Sequence, residues 1–200
     1  MKRVFKSMLF VVLILPVTLS AFGMGLSIPF GTTVEHENSG SSDYYGTWEE
    51  DSIIGLGLVT DTNIGKNRLY NWRFNLESSN LEDEYGNEFD RLSIVNTFGF
   101  ALVRNKVVRF FMGPRINIGF EDRPNGGSGV EFSVAPVAGV NINLGPVVSL
   151  GLDLDYKIPG LAVSAGDYDC AYGNCDYAED LSGATARFYL LFRFGERYYY

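Results

Sequence analysis

The stretch Val148-Ser149-Leu150-Gly151-Leu152-Asp153-Leu154-Asp155-Tyr156-Lys157 alternates without a break. Its even positions are apolar, and its odd positions are small or charged. Side chains of a strand point to opposite faces with a period of two. The stretch therefore predicts a strand with one apolar face and one charged face. A helix would scatter Asp153, Asp155 and Lys157 around its axis and have no clean apolar side.

The same period extends in both directions along the chain. Upstream it runs through Leu26, Ile28, Phe30 and Val34, then Ile54, Leu56 and Leu58, then Tyr70, Trp72, Phe74 and Leu76. It continues through Leu92 to Leu102, Val108 to Phe120 and Val130 to Leu144, and downstream it returns in Ala184 to Phe194. Eight strands result, and no segment after residue 23 sustains a helical period. The opposite face carries Arg73, Glu77, Arg109, Arg115, Glu131, Asp153, Asp155, Arg187 and Arg193. An arginine facing lipid costs about 2–4 kcal/mol at the midplane, so the charged face must turn inward. The expectation is an all-β chain: one transmembrane antiparallel up-and-down barrel of eight strands over residues 24–200. Its nine inward charges are expected to pair into a continuous network that fills the lumen.

The connections are expected to alternate. Thr60–Arg68, Val103–Lys106 and Asn143–Pro146 read as short turns, and Glu37–Asp51, Ser78–Glu88, Glu121–Gly129 and Pro159–Ser182 as longer polar loops. Short periplasmic turns and long external loops are the habit of outer-membrane barrels. Three residues resist the pattern. Asn96 lies on the apolar face, and Pro114 and Pro136 fall inside strands where proline removes a ladder bond. A shared bulge between those two prolines would accommodate them.

Residues 1–23 read as a cleaved signal peptide. Lys2, Arg3 and Lys6 give a positive start, Met8 to Leu19 an apolar run of 12 residues, and Ala21-Phe22-Gly23 the small residues of a cleavage site. Losing three of the 16 basic residues leaves 13 against 24 acidic ones, a charge of −11. Such an acidic chain is a poor partner for nucleic acid. An exported chain with two cysteines, Cys170 and Cys175, predicts one local disulfide.

Taken together, residues 24–200 resemble the small OmpA/OmpX-type outer-membrane barrels. The likeness rests on the eight alternating segments and on the end of the chain. Leu190, Phe192, Phe194, Tyr198 and Tyr200 keep one parity to the last residue, with Glu196 as the exception. The resemblance implies residence in the outer membrane among lipid and lipopolysaccharide. It also implies recognition of the last strand by the barrel-assembly machinery.

No cofactor or metal site is expected. His36 lies between Glu35 and Glu37, where an outer-membrane lipid A deacylase-like enzyme would hold a general base. A solvated histidine explains it more simply. Glu49-Glu50-Asp51, Glu82-Asp83-Glu84, and Asp167, Asp169, Asp176, Glu179 and Asp180 make the outer loops acidic. Clustered carboxylates can hold Ca²⁺ or Mg²⁺, although solubilising charge is the plainer reading. Tyr44, Tyr45, Trp48, Tyr70 and Trp72 are expected in an aromatic girdle at the outer interface. The functional expectation is a non-enzymatic structural or adhesive protein acting through its outer loops. A soluble periplasmic ligand-binding barrel, with the apolar face inward, is the other alternative. If Cys170 and Cys175 are bonded, the exported protein gains two hydrogens in mass when a reductant is added. Two free thiols without reductant would rule the bond out.

Overall fold

The computed structural model describes residues 22–37, 49–62, 69–82, 88–122, 128–170 and 173–194. Residues 1–21, which include most of the expected signal peptide, lie outside them. The described chain forms strands β1 (Phe22–Glu37), β2 (Glu49–Thr62), β3 (Tyr70–Glu82), β4 (Glu88–Arg104) and β5 (Val108–Asp122). It continues through β6 (Ser128–Leu144), β7 (Val148–Lys157), β8 (Ala162–Cys170) and β9 (Gly173–Phe194). Every strand pairs antiparallel with its neighbours, and β1 closes the sheet against β9. No helix among the described residues is long and apolar enough to cross a membrane. The spanning elements are strands.

The barrel has eight staves because β7 and β8 are two parts of one. β6 pairs with β7 through Val137–Leu144 and with β8 through Ser128–Ser133. β9 likewise pairs with both. Between the two parts, Ile158-Pro159-Gly160-Leu161 leaves the ladder as a turn, with the Leu161 amide donating to the Ile158 carbonyl and Gly160 at φ 81°. A path along paired residues leaves β1 at Leu26 and returns to it at His36, ten residues further on. That stagger tilts the strands. In a barrel of eight staves it leaves an interior only wide enough for side chains.

Two expectations about the connections are corrected. Residues 159–182 are not a loop: β8 and the start of β9 form a hairpin that extends the wall. Their sequence, Ala162-Val163-Ser164-Ala165-Gly166-Asp167, has too little apolar contrast to show a period, and pairing with β6 decides its shape. The strands also run into the other expected loops, taking in Glu49 to Asp51, Ser78 to Glu82, Glu121 and Asp122. Phe22, where β1 begins, and Phe194, where β9 ends, face each other at one end, here called the chain-terminal end. The connections 63–69, 105–107 and 145–147 share that end. The turn at 105–107 is tied by Asn105, whose Oδ1 accepts from the amides of Val107 and Val108 at 2.8 and 2.7 Å. Gly145, at φ 74°, makes the turn at 145–147.

The wall is inverted relative to a soluble protein. Ile54 (67% exposed), Leu56, Phe98, Leu154 and Phe188 point outward, whereas Arg73, Arg109 and Arg115 are almost wholly buried inside. This rules out the soluble barrel with an apolar lumen. Inward glycines make room for the long charged side chains. A Cβ on Gly139 would lie 2.5 Å from Phe111 Cζ and 2.7 Å from Asp153 Cβ, and one on Gly57 would lie 2.7 Å from Glu77 Cγ.

Pro114 and Pro136 stand directly opposite each other, but no bulge separates them. The Val134 amide donates to the Leu161 carbonyl, so even-numbered amides of β6 point toward the seventh stave. Pro136 shares that parity and faces the interruption at 158–161. Pro114 points the other way, toward β4, where pairing jumps from Thr97↔Arg115 to Phe100↔Met112. Each missing N–H thus falls where the ladder is already broken. The bulge lies elsewhere, between Ala101 and Val103. Asn96 is half-buried on the outer face and accepts a hydrogen bond from Trp72 Nε1 at 3.1 Å. Replacing Gly139 by Val should strain this interior by about 1–3 kcal/mol. The expected readout is a lower urea midpoint for unfolding in detergent micelles, with Gly145→Ala at the open turn as a milder comparison.

Candidate functional site: the lumen and the outer end

Four strands supply the centre of the lumen. β7 contributes Asp153 and Asp155 from the alternating stretch, β3 contributes Arg73 and Glu77, and β5 and β9 contribute Arg115 and Arg187. Asp153 accepts from Arg73 at 2.9 Å and from Arg115 at 2.7 Å. Asp155 accepts from Arg115 and Arg187. Arg187 continues to Glu77 at 3.0 Å, which also accepts from Asn75 at 2.8 Å. At the other end of the chain Arg73 reaches Asp61 at 2.7 Å and Asn141 at 2.7 Å. Its guanidinium lies over the Tyr189 ring, 4.1 Å from the centroid. Phe111 flanks it at 5.1 Å.

Glu131 belongs to a second group nearer the opposite end. It takes Arg91 at 2.8 Å and Lys157 at 2.8 Å, and Arg91 also pairs with Glu121 at 2.6 Å. Lys157 donates to Thr33 Oγ1 at 3.2 Å. Above this group Ile53, Leu81 and Phe89 form a buried apolar cluster. The pairs named so far fall around two centres, one at Asp153 and Asp155 and one at Glu131.

Two further expected inward charges lie toward the chain-terminal end. Arg193 turns to the backbone and donates to the Gly145 carbonyl. Arg109 is buried at the chain-terminal end, across the ladder from Asn141 and within electrostatic reach of Asp61. At the centre the carboxylates of Asp61, Glu77, Asp153 and Asp155 meet the guanidiniums of Arg73, Arg115 and Arg187.

Sequence reading missed Asp61, Arg91 and Glu121 in the network. All three keep the inward parity of their strands, Asp61 with Val59, Arg91 with Ser93, and Glu121 with Gly119. The signal was present, but Asp61 and Glu121 fell inside segments read as connections, and Arg91 fell between the Ser78–Glu88 connection and the strand read from Leu92.

The acidic residues expected in the outer loops lie largely on strand ends, at the end of the barrel opposite Phe22 and Phe194. Glu82 stands opposite Glu88, Asp90 opposite Asp122, Glu35 opposite Glu49 and Asp167 opposite Asp176. Like charges directly opposite disfavour pairing, so these rungs mark where the hairpins leave the apolar belt. Among the described residues no group of three or more His, Cys, Asp or Glu is placed to hold a metal ion. The backbone of His36 is in β1, opposite Asp180. Its side chain, those of Cys170 and Cys175, and residues Tyr44, Tyr45 and Trp48 lie outside the described residues. Tyr70 and Trp72 are not at the outer interface. β3 starts at the chain-terminal end, so they lie there, with Tyr70 edge-to-face against Phe100 at 5.5 Å.

The closed wall, its inverted polarity and its eight staves define the class: the fold is that of the small outer-membrane β-barrels. Comparison with solved structures gives the same fold. The chain is similar to the outer membrane protein AlkL, at 11% identity and a TM-score of 0.60, over 91% of this chain and 93% of that one. It is also similar to OprG from Pseudomonas aeruginosa, at 10% identity and a TM-score of 0.51, over 89% and 100%. The attachment invasion locus protein Ail of Yersinia pestis aligns at 15% identity with a TM-score of 0.45, over 86% and 98%. No family model and no curated protein matches the chain.

Arg187 joins Glu77 to Asp155, so Arg187→Ala leaves two buried carboxylates short of a partner. Breaking a buried pair on one side costs about 3–5 kcal/mol. The expected result is a large drop in the urea midpoint in micelles. Arg104→Ala, on an exposed strand end, should leave the midpoint unchanged within error.

Proposed function

We propose that the protein resides in the outer membrane as a non-enzymatic barrel with a closed lumen, serving a structural or adhesive role through its acidic outer end. The observation that carries this reading is the filled interior. Arg73, Arg115, Arg187, Asp153 and Asp155 meet across the bore at hydrogen-bonding distance, and Ile53, Leu81 and Phe89 lie above the second ionic group. A water-filled path would have to part these pairs, and each parted pair would have to be resolvated inside a narrow bore. General diffusion of solutes is therefore a poor fit. The apolar belt supports contact with lipid, and the strand overhang beyond it supports exposure of the acidic end to the medium. Lipopolysaccharide phosphates would meet that end through bridging cations. The last strand would be the segment the assembly machinery reads.

Two measurements test this. Purified protein in a planar bilayer should show no steady conductance, and stable channels proportional to salt would refute the closed lumen. Expression of the wild type or of His36→Ala should leave the lipid A profile of the host unchanged. A new lipid A species that depends on His36 would move the protein to the enzymes.

A further inference from the structure

Asn96 is a polar residue set in the apolar outer wall. The outward residues of β4 run Leu92, Ile94, Asn96, Phe98, Phe100 and Leu102, which places Asn96 well inside the belt. Across the ladders it faces Phe74 and Ile116. An indole is only a donor, so the bond from Trp72 Nε1 fixes the amide: Oδ1 faces Trp72 and Nδ2 turns away. Among the described residues none accepts from Nδ2. Lipid hydrocarbon has no acceptor to offer, and headgroup oxygens lie at the edge of the belt.

A second feature lies beside it. Tyr70, Trp72, Phe98, Phe100 and Pro114 line a hollow of about 560 Å³ in the outer surface, where the pairing of β4 with β5 is interrupted. Phe98 itself stands 47% exposed at its rim. One face thus carries an amide with a spare donor, a carbonyl oxygen with a second lone pair, a protruding ring and a hollow.

We propose that this β3–β4–β5 face is a contact between two copies of the chain in the membrane. An acyl chain would fill the hollow but leave Nδ2 unmet. A second copy, related by a twofold axis, meets both needs. Each Asn96 donates from Nδ2 to the other's Oδ1, and each Phe98 approaches the other's hollow. An isologous contact requires that kind of self-complementarity. A closed barrel has no free strand edge, so side chains must make the contact. Small and polar groups, not bulk hydrophobicity, drive association within a bilayer.

The inference rests on the membrane-spanning reading, so the experiment measures the two separately. Flotation with liposomes and a heat-dependent shift in gel mobility report insertion and folding. Photobleaching steps of labelled protein, diluted in liposomes, report copy number. The wild type should be folded, inserted and mostly paired, and Asn96→Leu should stay folded and pair about tenfold more weakly. In a Cys170→Ser, Cys175→Ser background, Phe98→Cys should cross-link between copies and Leu152→Cys, on β7, should not. The cross-linking pair carries the test should Asn96→Leu fail to fold. A folded, inserted wild type that stays monomeric, an Asn96→Leu protein that pairs as well as wild type, or equal cross-linking from both cysteines would overturn the contact. A wild type that folds but does not float with liposomes would overturn the membrane reading, and the contact with it.

Discussion

Asp153 and Asp155 each accept two guanidinium groups, and the rest of the barrel is arranged around that fact. Two carboxylates spaced by one residue on β7 face the same way and hold Arg73, Arg115 and Arg187 from three other strands. Buried charges persist only when paired and hydrogen-bonded. Placing these five groups in the lumen therefore fixes the register of β3, β5, β7 and β9 more tightly than apolar contacts could. A slip of one residue would turn each charge out toward lipid and each leucine inward.

The same constraint explains where small residues occur. The stagger of ten residues gives a narrow bore. Three arginines, a tyrosine and a phenylalanine fit there only because Gly57, Gly139 and Gly151 leave space on the inward face. Glycine usually weakens a strand interior. Here it is the counterpart of a large neighbour. The outer wall follows the opposite rule, with every outward position from Val130 to Leu144 lacking charge. Its two conspicuous irregularities, the prolines and Asn96, occur where the ladder is broken or where an indole supplies a bond.

The barrel is also asymmetric from end to end. Ion pairs fill its centre, an apolar cluster lies above them, and beyond the belt the hairpins carry carboxylates on facing strands. Repulsion across those rungs is tolerable in water and would not be in lipid. The charge pattern therefore marks the level at which the wall leaves the membrane. This ties the shape of the protein to its proposed work: the belt and the lumen hold it in place, and the acidic hairpins are what the surroundings meet.

The sequence alone determined the parity of every strand except β8. Side-chain alternation is a local property of extended chain, so Leu150 and Asp153 declare opposite faces without reference to any partner. From parity and the cost of a lipid-facing arginine, the fold class, the eight staves and the inward set all followed. Only the tertiary structure decided which inward charges meet. That depends on stagger around a closed ring, which no local pattern encodes, so the meeting of Arg73, Arg115 and Arg187 at Asp153 and Asp155, and of Arg91 and Lys157 at Glu131, was illegible. The same holds for Asp61 and Glu121, which looked like loop residues, and for Arg91, just outside the strand read from Leu92, because the hydrophobic signal fades where strands leave the belt. It holds for β8 as well, whose small residues become a strand only because β6 and β9 offer their backbone groups on either side.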